Sequence, residues 1–425
     1  MNSPLPAPPK TYRWVVLAFL SLAMFGNYYV YDSIPPLADV LKSQLGFSDS
    51  NIGLLNAIYS FPNIIMVLVG GMIIDRIGPS RSAIVFAGVC LVGASVTAIS
   101  PRIEIMAAGR LCFGLGAESL IVAITTAIAK WFKGKELSFA FGLNLTIARL
   151  GSVAVENSPS WMSDAYFSWR APLLVAVAFA GISLVGGLTY WFLESKARGR
   201  YQVESGGPTD KVVFRDIVKF DRSYWLVVGL CVAFYSAIFP FKTFAIKMFI
   251  EAHGATRQEG GFYLSMLDVS AMVLSPIFGI VADKIGRRAL IMTIGSALFI
   301  PVFLLLAFTH TPVFIPMALM GVSFSLIPTL MWPSVAYLVD QPKLGTAYGL
   351  MTLIQNVGFF SFNLLIGSVN DWSGASSLNP SGYVPGLMIF ASLSVAGLVF
   401  AYFLRRTEVG TRAHGLETTR ATSGG

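Results

Sequence analysis

Charge is scarce in this chain. Only 12% of its 425 residues are Asp, Glu, Lys or Arg, roughly half the share of a soluble domain, so a water-covered globular surface is excluded. Histidine is almost missing: His253, His310 and His414 fall at the ends of apolar runs or in the tail. No histidine relay crosses the apolar region, and no metal-ligand cluster forms from such spacing. The three cysteines, Cys90, Cys112 and Cys231, lie inside apolar runs. They read as small core residues, and no disulfide framework is implied. There is no phosphate-cradling loop, since Gly206-Gly207 is not one. No Ser/His or paired-Asp set sits at one depth, so an enzyme is not expected, and no cofactor or metal either. The net charge of +8 does not point to nucleic acid, because the basic residues fall in short loops between apolar runs, where the positive-inside rule puts them.

What is abundant is hydrophobic residues, 55% of the chain. They are gathered into runs long enough to cross a bilayer core of about 30 Å as helices. The expected fold is an all-α membrane protein with twelve transmembrane helices, the first starting at Tyr12 and the last ending at Leu404. The expected division is an N-terminal tail over 1–11, a six-helix bundle over 12–193, a linker over 194–222, a second six-helix bundle over 223–406 and a disordered tail over 407–425. The Pro-rich, basic N-terminus has no cleavable-signal shape, because its apolar run continues to spanning length. Arg76, Arg81, Lys130, Lys133, Lys135, Lys211, Arg215, Lys219, Lys284, Arg287 and Arg288 fall on one side, while Lys42, Arg102, Arg170 and Arg257 fall on the other. The basic side is expected to be cytoplasmic, with both termini there and the protein in the plasma (inner) membrane.

The two halves repeat. GMIIDRIG from Gly71 to Gly78 returns as GIVADKIG from Gly279 to Gly286, an offset of 208, and FGLNLTIARLG from Phe141 returns as YGLMTLIQNVG from Tyr348, an offset of 207. Agreement to one residue in two separate segments indicates duplication and a pseudo-two-fold relation between the bundles. Such repeats place a solute site at the bundle interface near the midplane.

The loop Gly71-x-x-x-Asp75-Arg76-x-Gly78, with Arg81 beyond it, and its copy Gly279…Asp283-Lys284-x-Gly286-Arg287 resemble the signature loop of the major facilitator superfamily. The resemblance implies a twelve-helix carrier whose loop stabilises one conformation of the transport cycle. This chain has Pro79-Ser80 where that family usually carries basic residues. Arg110, followed by Phe113-Gly114-x-Gly116, resembles a second signature; its plain reading is a guanidinium bonded to the backbone of neighbouring helices, with glycines for close packing. The segments GAESL at 116–120, WFKGKEL at 131–137, ARLGS at 148–152, LGTAYGL at 344–350 and IQNVG at 354–358 are similar to one branch of the superfamily, the lysosomal dipeptide transporters. Tyr28-Tyr29-Val30-Tyr31-Asp32 and Phe239-Pro240-Phe241 add to it. That branch implies uptake or release of dipeptides recognised through their charged termini, by facilitated uniport.

The residues support such a cargo independently. Glu118 lies about halfway between Glu104 and Lys130, and Arg149 about halfway between Glu136 and Asp164, so both sit near the midplane. A charge there costs roughly 2.5–3.5 kcal/mol on insertion scales and faces protein or water with a partner. A short turn makes their helices antiparallel neighbours. Glu118 and Arg149 could therefore meet each other, as a structural ion pair, or grip the ammonium and carboxylate of a zwitterion between them. Their counterparts in the second half are Ser325 and Asn356, both neutral. Asp268 is the second candidate for an ammonium or a proton. Glu156 could screen Arg149 in the empty state. Asp32, Lys242 and Lys247 read equally as site residues or as outer-gate ion pairs, and Tyr31, Trp332 and Phe239 as cavity lining or packing. Pro240, Pro276, Pro328 and Pro333 mark helix breaks. The expected partners are the lipid bilayer and a small zwitterion such as a dipeptide, with the chain a monomer; Asp32, Glu118 and Asp268 leave proton coupling open. An organic-anion carrier anchored on Arg149, or a non-transporting receptor or assembly subunit, are the alternatives.

Overall fold

In the computed structural model the described residues are 6, 8–132, 136–198, 200–201, 220–410 and 413–418. Lys133 and Lys135, the linker residues 202–219 with Lys211, Arg215 and Lys219, and most of both tails lie outside them. Among the described residues the chain is helical, with no named strand. The N-terminal half holds α1 (Lys10–Tyr31), α2 (Ala38–Leu45), α3 (Asp49–Ala57), α4 (Ser60–Ile77), α5 (Pro79–Ile99), α6 (Ile103–Phe132), α7 (Leu137–Glu156), the short α8 (Ser158–Trp161) and α9 (Arg170–Ala197). The C-terminal half holds α10 (Arg222–His253), α11 (Arg257–Ile285), α12 (Arg288–Phe308), α13 (Phe314–Leu338), α14 (Leu344–Trp372) and α15 (Val384–Glu408). Eleven described helical stretches are long and apolar enough to span, with α1 and α2 counted together, and the bent stretch formed by α3 and α4 makes twelve. With an even number of spans both termini fall at one end, here termed inner.

Turn chemistry ends the helices. Gly78 after α4 and Gly286 after α11 have φ of +83° and +68°, a backbone region that favours glycine. These are the equivalent glycines of the repeated loop. Ser48 opens α3 and Thr256 opens α11, each with a reciprocal capping box, to Asn51 and Glu259 respectively.

Packing follows the two halves, except at the outer end. The inner part of the N-terminal half has its own apolar core, around Leu20, Phe113, Ala117 and Ile124. Its outer part does not: Ile34, Leu37, Leu41, Ile52 and Leu55 belong to one continuous core with Phe241, Phe249 and Met317 of the C-terminal half. Among the described residues, the buried apolar surface that fuses the halves lies at the outer end, as in a closed outer side.

The tail departs from expectation. Residues 413–418 pack on the C-terminal half: Leu416 is fully buried, its carbonyl accepts from the Arg288 amide at 2.8 Å, and Glu417 accepts from the Leu290 amide at 2.9 Å. Two orphan donors at the start of α12 are satisfied in this way, which is why this part of the segment is ordered despite its polar composition.

Candidate functional site

A buried ionic cluster joins the two halves. On α7, Arg149, Ser152 and Glu156 lie three and seven residues apart, one face of a helix. The Arg149 Nη1 donates to Asp268 Oδ1 on α11 at 2.7 Å. The other oxygen of Asp268 accepts from Lys242 Nζ on α10 at 2.9 Å. Lys242 also faces Glu156 Oε1 at 2.9 Å and Asp32 Oδ2 at 3.5 Å, and Ser152 donates to Asp32 at 2.6 Å. Buried charges persist only when paired in this manner. The side chains of Lys242, Asp268 and Glu156 are no more than 5% exposed, whereas that of Arg149 is 21% exposed. Arg149 is the accessible member, and its guanidinium lies 5.1 Å over the Phe324 ring.

Glu118 stands apart from this cluster. It is half-buried on α6 and has no hydrogen bond or ion pair among the described residues. Arg149 is bonded to Asp268 in its place, and Glu156, expected to screen Arg149, faces Lys242. The physical reason is packing: α7 lies mainly along α1 and crosses the interface onto α11, touching α6 little despite the short connection. The Tyr28 hydroxyl lies within the electrostatic reach of Arg149, Glu118, Asp32 and Asp268 alike. An aromatic wall continues from it. Tyr31 lies 6.2 Å from Tyr28, 4.6 Å from Tyr59 and 6.5 Å from Phe239 between ring centroids. Trp332 Nε1 donates to the Tyr235 hydroxyl at 3.0 Å. Asn356 on α14 accepts from Asn63 on α4 at 3.3 Å, a polar contact between the halves.

Lys247 is elsewhere. It is fully buried in an outer seal, 2.8 Å from Asp49 Oδ1 and 3.2 Å from Glu251, and donates to the Tyr383 hydroxyl at 2.7 Å. Tyr383 in turn donates to Glu251. Two further links close the outer end. Asp371 on α14 accepts from the amides of Asp49 and Ser50 at 2.8 Å each, capping α3 across the interface, and Arg257 pairs with Asp39 at 2.5 Å. Asp39, Asp49 and Asp371 were not singled out in the sequence; the one signal was an acid at the first turn of α3, which reads as an ordinary complement to a helix N-terminus.

Arg110 is 1% exposed and works on backbone. Its Nε donates to the Leu55 carbonyl at 3.1 Å, Nη1 to Val30 at 3.0 Å, and Nη2 to Tyr31 at 3.1 Å and to Asn56 Oδ1 at 3.2 Å. These carbonyls sit where α1 ends and where α3 breaks before α4, at the margins of the helical ladder; that of Val30 also accepts from the Ser33 amide at 3.3 Å and the Ser33 hydroxyl at 2.8 Å. A Cβ at Gly114 would collide with the Tyr59 carbonyl, so the same segment makes room for that break. Asn56 continues the chain to Thr243 at 3.2 Å, and Thr243 to Asn363 at 2.7 Å.

At the inner end, Asp283 pairs with Arg288 at 2.6 Å within the second loop, and Arg287 has a positive φ of 49°. Arg76 and Arg81 are exposed, Asp75 has a partner, and Gly71 and Gly279 lie in α4 and α11 just before their loops.

Two long-spanning halves fused at one end around buried cross-interface charges define a membrane carrier. The model of the Major Facilitator Superfamily matches residues 20–358 and 242–422, and the chain belongs to that family. It is a membrane transporter and not an enzyme. It is 34% identical over 376 residues to the lysosomal dipeptide transporter MFSD1 of Danio rerio, covering 85% of this chain and 82% of the relative. To the Homo sapiens protein of that name it is 31% identical, covering 94% and 88%. Among solved structures it is similar to an inward-facing, unoccupied bacterial homologue of the human lysosomal transporter Spinster, with a TM-score of 0.75 at 16% identity, covering 94% of this chain and 98% of that one.

Proposed function

We propose that the chain carries small zwitterionic peptides, dipeptides above all, by alternating access between its two halves. One observation carries the reading: Arg149, the accessible cation of the interface cluster, stands at the seam between the halves, and Glu118 on α6 supplies an anion that pairs with no described residue. A zwitterion needs both signs fixed at separate points, with a guanidinium for its carboxylate. The MFSD1 relatives support the same cargo.

In this reading Glu118 takes the ammonium and Arg149 the carboxylate. Tyr31 and Trp332 form the wall, Asn356 and Asp268 are the C-terminal half's polar contribution, and Asp32 steadies Lys242. Lys247 belongs to the outer seal. The fused outer core supports reading this as an outer-closed, inward-facing state, with the loops at Asp75–Arg81 and Asp283–Arg287 acting on the opposite conformation. The inner end faces the cytoplasm, by the excess of Lys and Arg in its loops, in the plasma membrane. The carrier works as a monomer and by uniport.

The test is uptake of labelled alanyl-alanine into proteoliposomes, with and without an imposed proton gradient. Free alanyl-alanine should compete, while its N-acetyl and C-terminal amide forms should not. Glu118→Gln and Arg149→Ala proteins that melt normally should lose flux. Equal competition by the N-acetyl form would move the reading to an organic-anion carrier, and gradient-driven accumulation would replace uniport with proton symport.

A further inference from the structure

We infer that Asp268 is a built-in stand-in for the cargo's carboxylate, and that the cargo displaces it from Arg149 to unfasten α7 from α11. This rests on the reading of Arg149 as the carboxylate site. The geometry argues for displacement. Arg149 belongs to the N-terminal half and Asp268 to the C-terminal half, and their 2.7 Å bond fastens the two at cluster depth. A carboxylate already occupies the only accessible cation of the cluster, in the same charge state and with the same donor geometry that a peptide terminus would present. Exchange of one carboxylate for another leaves Arg149 neutralised throughout, so no bare charge forms in a low-dielectric site. Asp268 is not stranded either, because its other oxygen keeps Lys242 at 2.9 Å. Within the cluster, the other links from α10 to the N-terminal half, Lys242 with Glu156 and Asp32, involve no group that an entering solute reaches first, since those side chains are at most 10% exposed against 21% for Arg149.

The consequence is kinetic. The empty carrier holds the Arg149–Asp268 fastening and the loaded carrier does not. Loaded halves therefore rearrange faster than empty ones, and exchange of labelled for unlabelled cargo outruns net flux. Removing the Asp268 charge frees Arg149 in advance.

The experiment uses the full-length protein and alanyl-alanine as probe. Binding is measured by calorimetry in detergent, and counterflow and net efflux in proteoliposomes, for wild type, Asp268→Asn and Asp268→Glu. Asp268→Asn should bind roughly tenfold more tightly, the effect of removing one charge-assisted hydrogen bond in competition. Its ratio of counterflow to net efflux should fall toward one, while Asp268→Glu should keep the wild-type ratio. Weaker or unchanged binding by Asp268→Asn, with wild type binding normally, would overturn the inference, because Asp268 would then orient Arg149 and not compete for it. Failure of wild type itself to bind alanyl-alanine would overturn the cargo reading, and the inference with it. Should Asp268→Asn not fold, spin labels on α7 and α11 of the otherwise wild-type chain decide: added alanyl-alanine should lengthen their separation, and an unchanged separation would reject displacement.

Discussion

Gly367→Ala is the sharpest test of how the outer end closes. Gly367 lies on α14, one turn before Asp371, and its α-carbon faces the start of α3. A Cβ there would sit 2.5 Å from the Asp49 carbonyl oxygen, 2.9 Å from the Ser50 Cα and 3.0 Å from the Asp49 carbonyl carbon. All three are backbone atoms and cannot swing aside. Ordinary contact begins near 3.4 Å, so α14 and α3 must part by up to 0.9 Å. The Asp371 caps on the Asp49 and Ser50 amides, now 2.8 Å, would stretch with them. Overpacking of this kind costs about 1–3 kcal/mol. It falls on the outer-closed state alone, because parting the halves relieves it. The balance between states should therefore move toward outer-open by roughly 5- to 150-fold. Spin labels at the exposed positions Ser43 and Leu378, outside the seam and on opposite halves, would report the change by pulsed electron paramagnetic resonance. Gly142→Ala, where nothing lies within 4 Å of the added Cβ, is the control. A longer Ser43–Leu378 separation in Gly367→Ala but not in Gly142→Ala is expected. An unchanged separation with an unchanged melting temperature would refute the argument from backbone contact.

Three further outcomes follow from the described contacts. Asp371→Asn should weaken the cap on α3 by about 1 kcal/mol and raise labelling of a cysteine placed at Ser50; unaltered labelling would count against the cap as part of the seal. Arg110→Lys should lower the melting temperature in detergent by several degrees, about 2 kcal/mol or more, because one ammonium cannot serve four acceptors held by a planar fork; a wild-type melting curve would show that water can replace the guanidinium. Truncation after Gly410 removes Leu416 and Glu417 and so uncaps α12, which should cost about 1–2 kcal/mol and shift the melting curve down; no shift would mean that this docking adds nothing to stability.

Much of the architecture was legible in the sequence. Run lengths fixed the number of spans, and the repeated loops around Gly78 and Gly286 gave the duplication, because both depend on composition and turn chemistry. Partnership was not legible. Whether Arg149 meets Glu118 or Asp268 depends on which neighbour α7 lies against, and an apolar helix with small residues on several faces does not announce that choice. Lys247 shows the same limit. Its position in α10 suits a cavity or a seal equally well, and only the arrival of Asp49 from the other half decides between them. The break between α3 and α4 has a local mark in Pro62, which has no amide for the Ile58 carbonyl, but the glycine that makes room for it, Gly114, lies 55 residues after Tyr59. The tail's composition is polar, yet one buried leucine and one capping glutamate are enough to dock residues 413–418.

Arg110 has a mechanical consequence. The ends of α1 and α3 are bent at the same level and share a single splint, so the outer third of the N-terminal half is one stiff plate and not two independent flaps. When the outer end opens, the end of α1 and α3 must travel together, hinged below the level of Arg110. Their mutual spacing should stay constant through the cycle while both recede from α10 and α14.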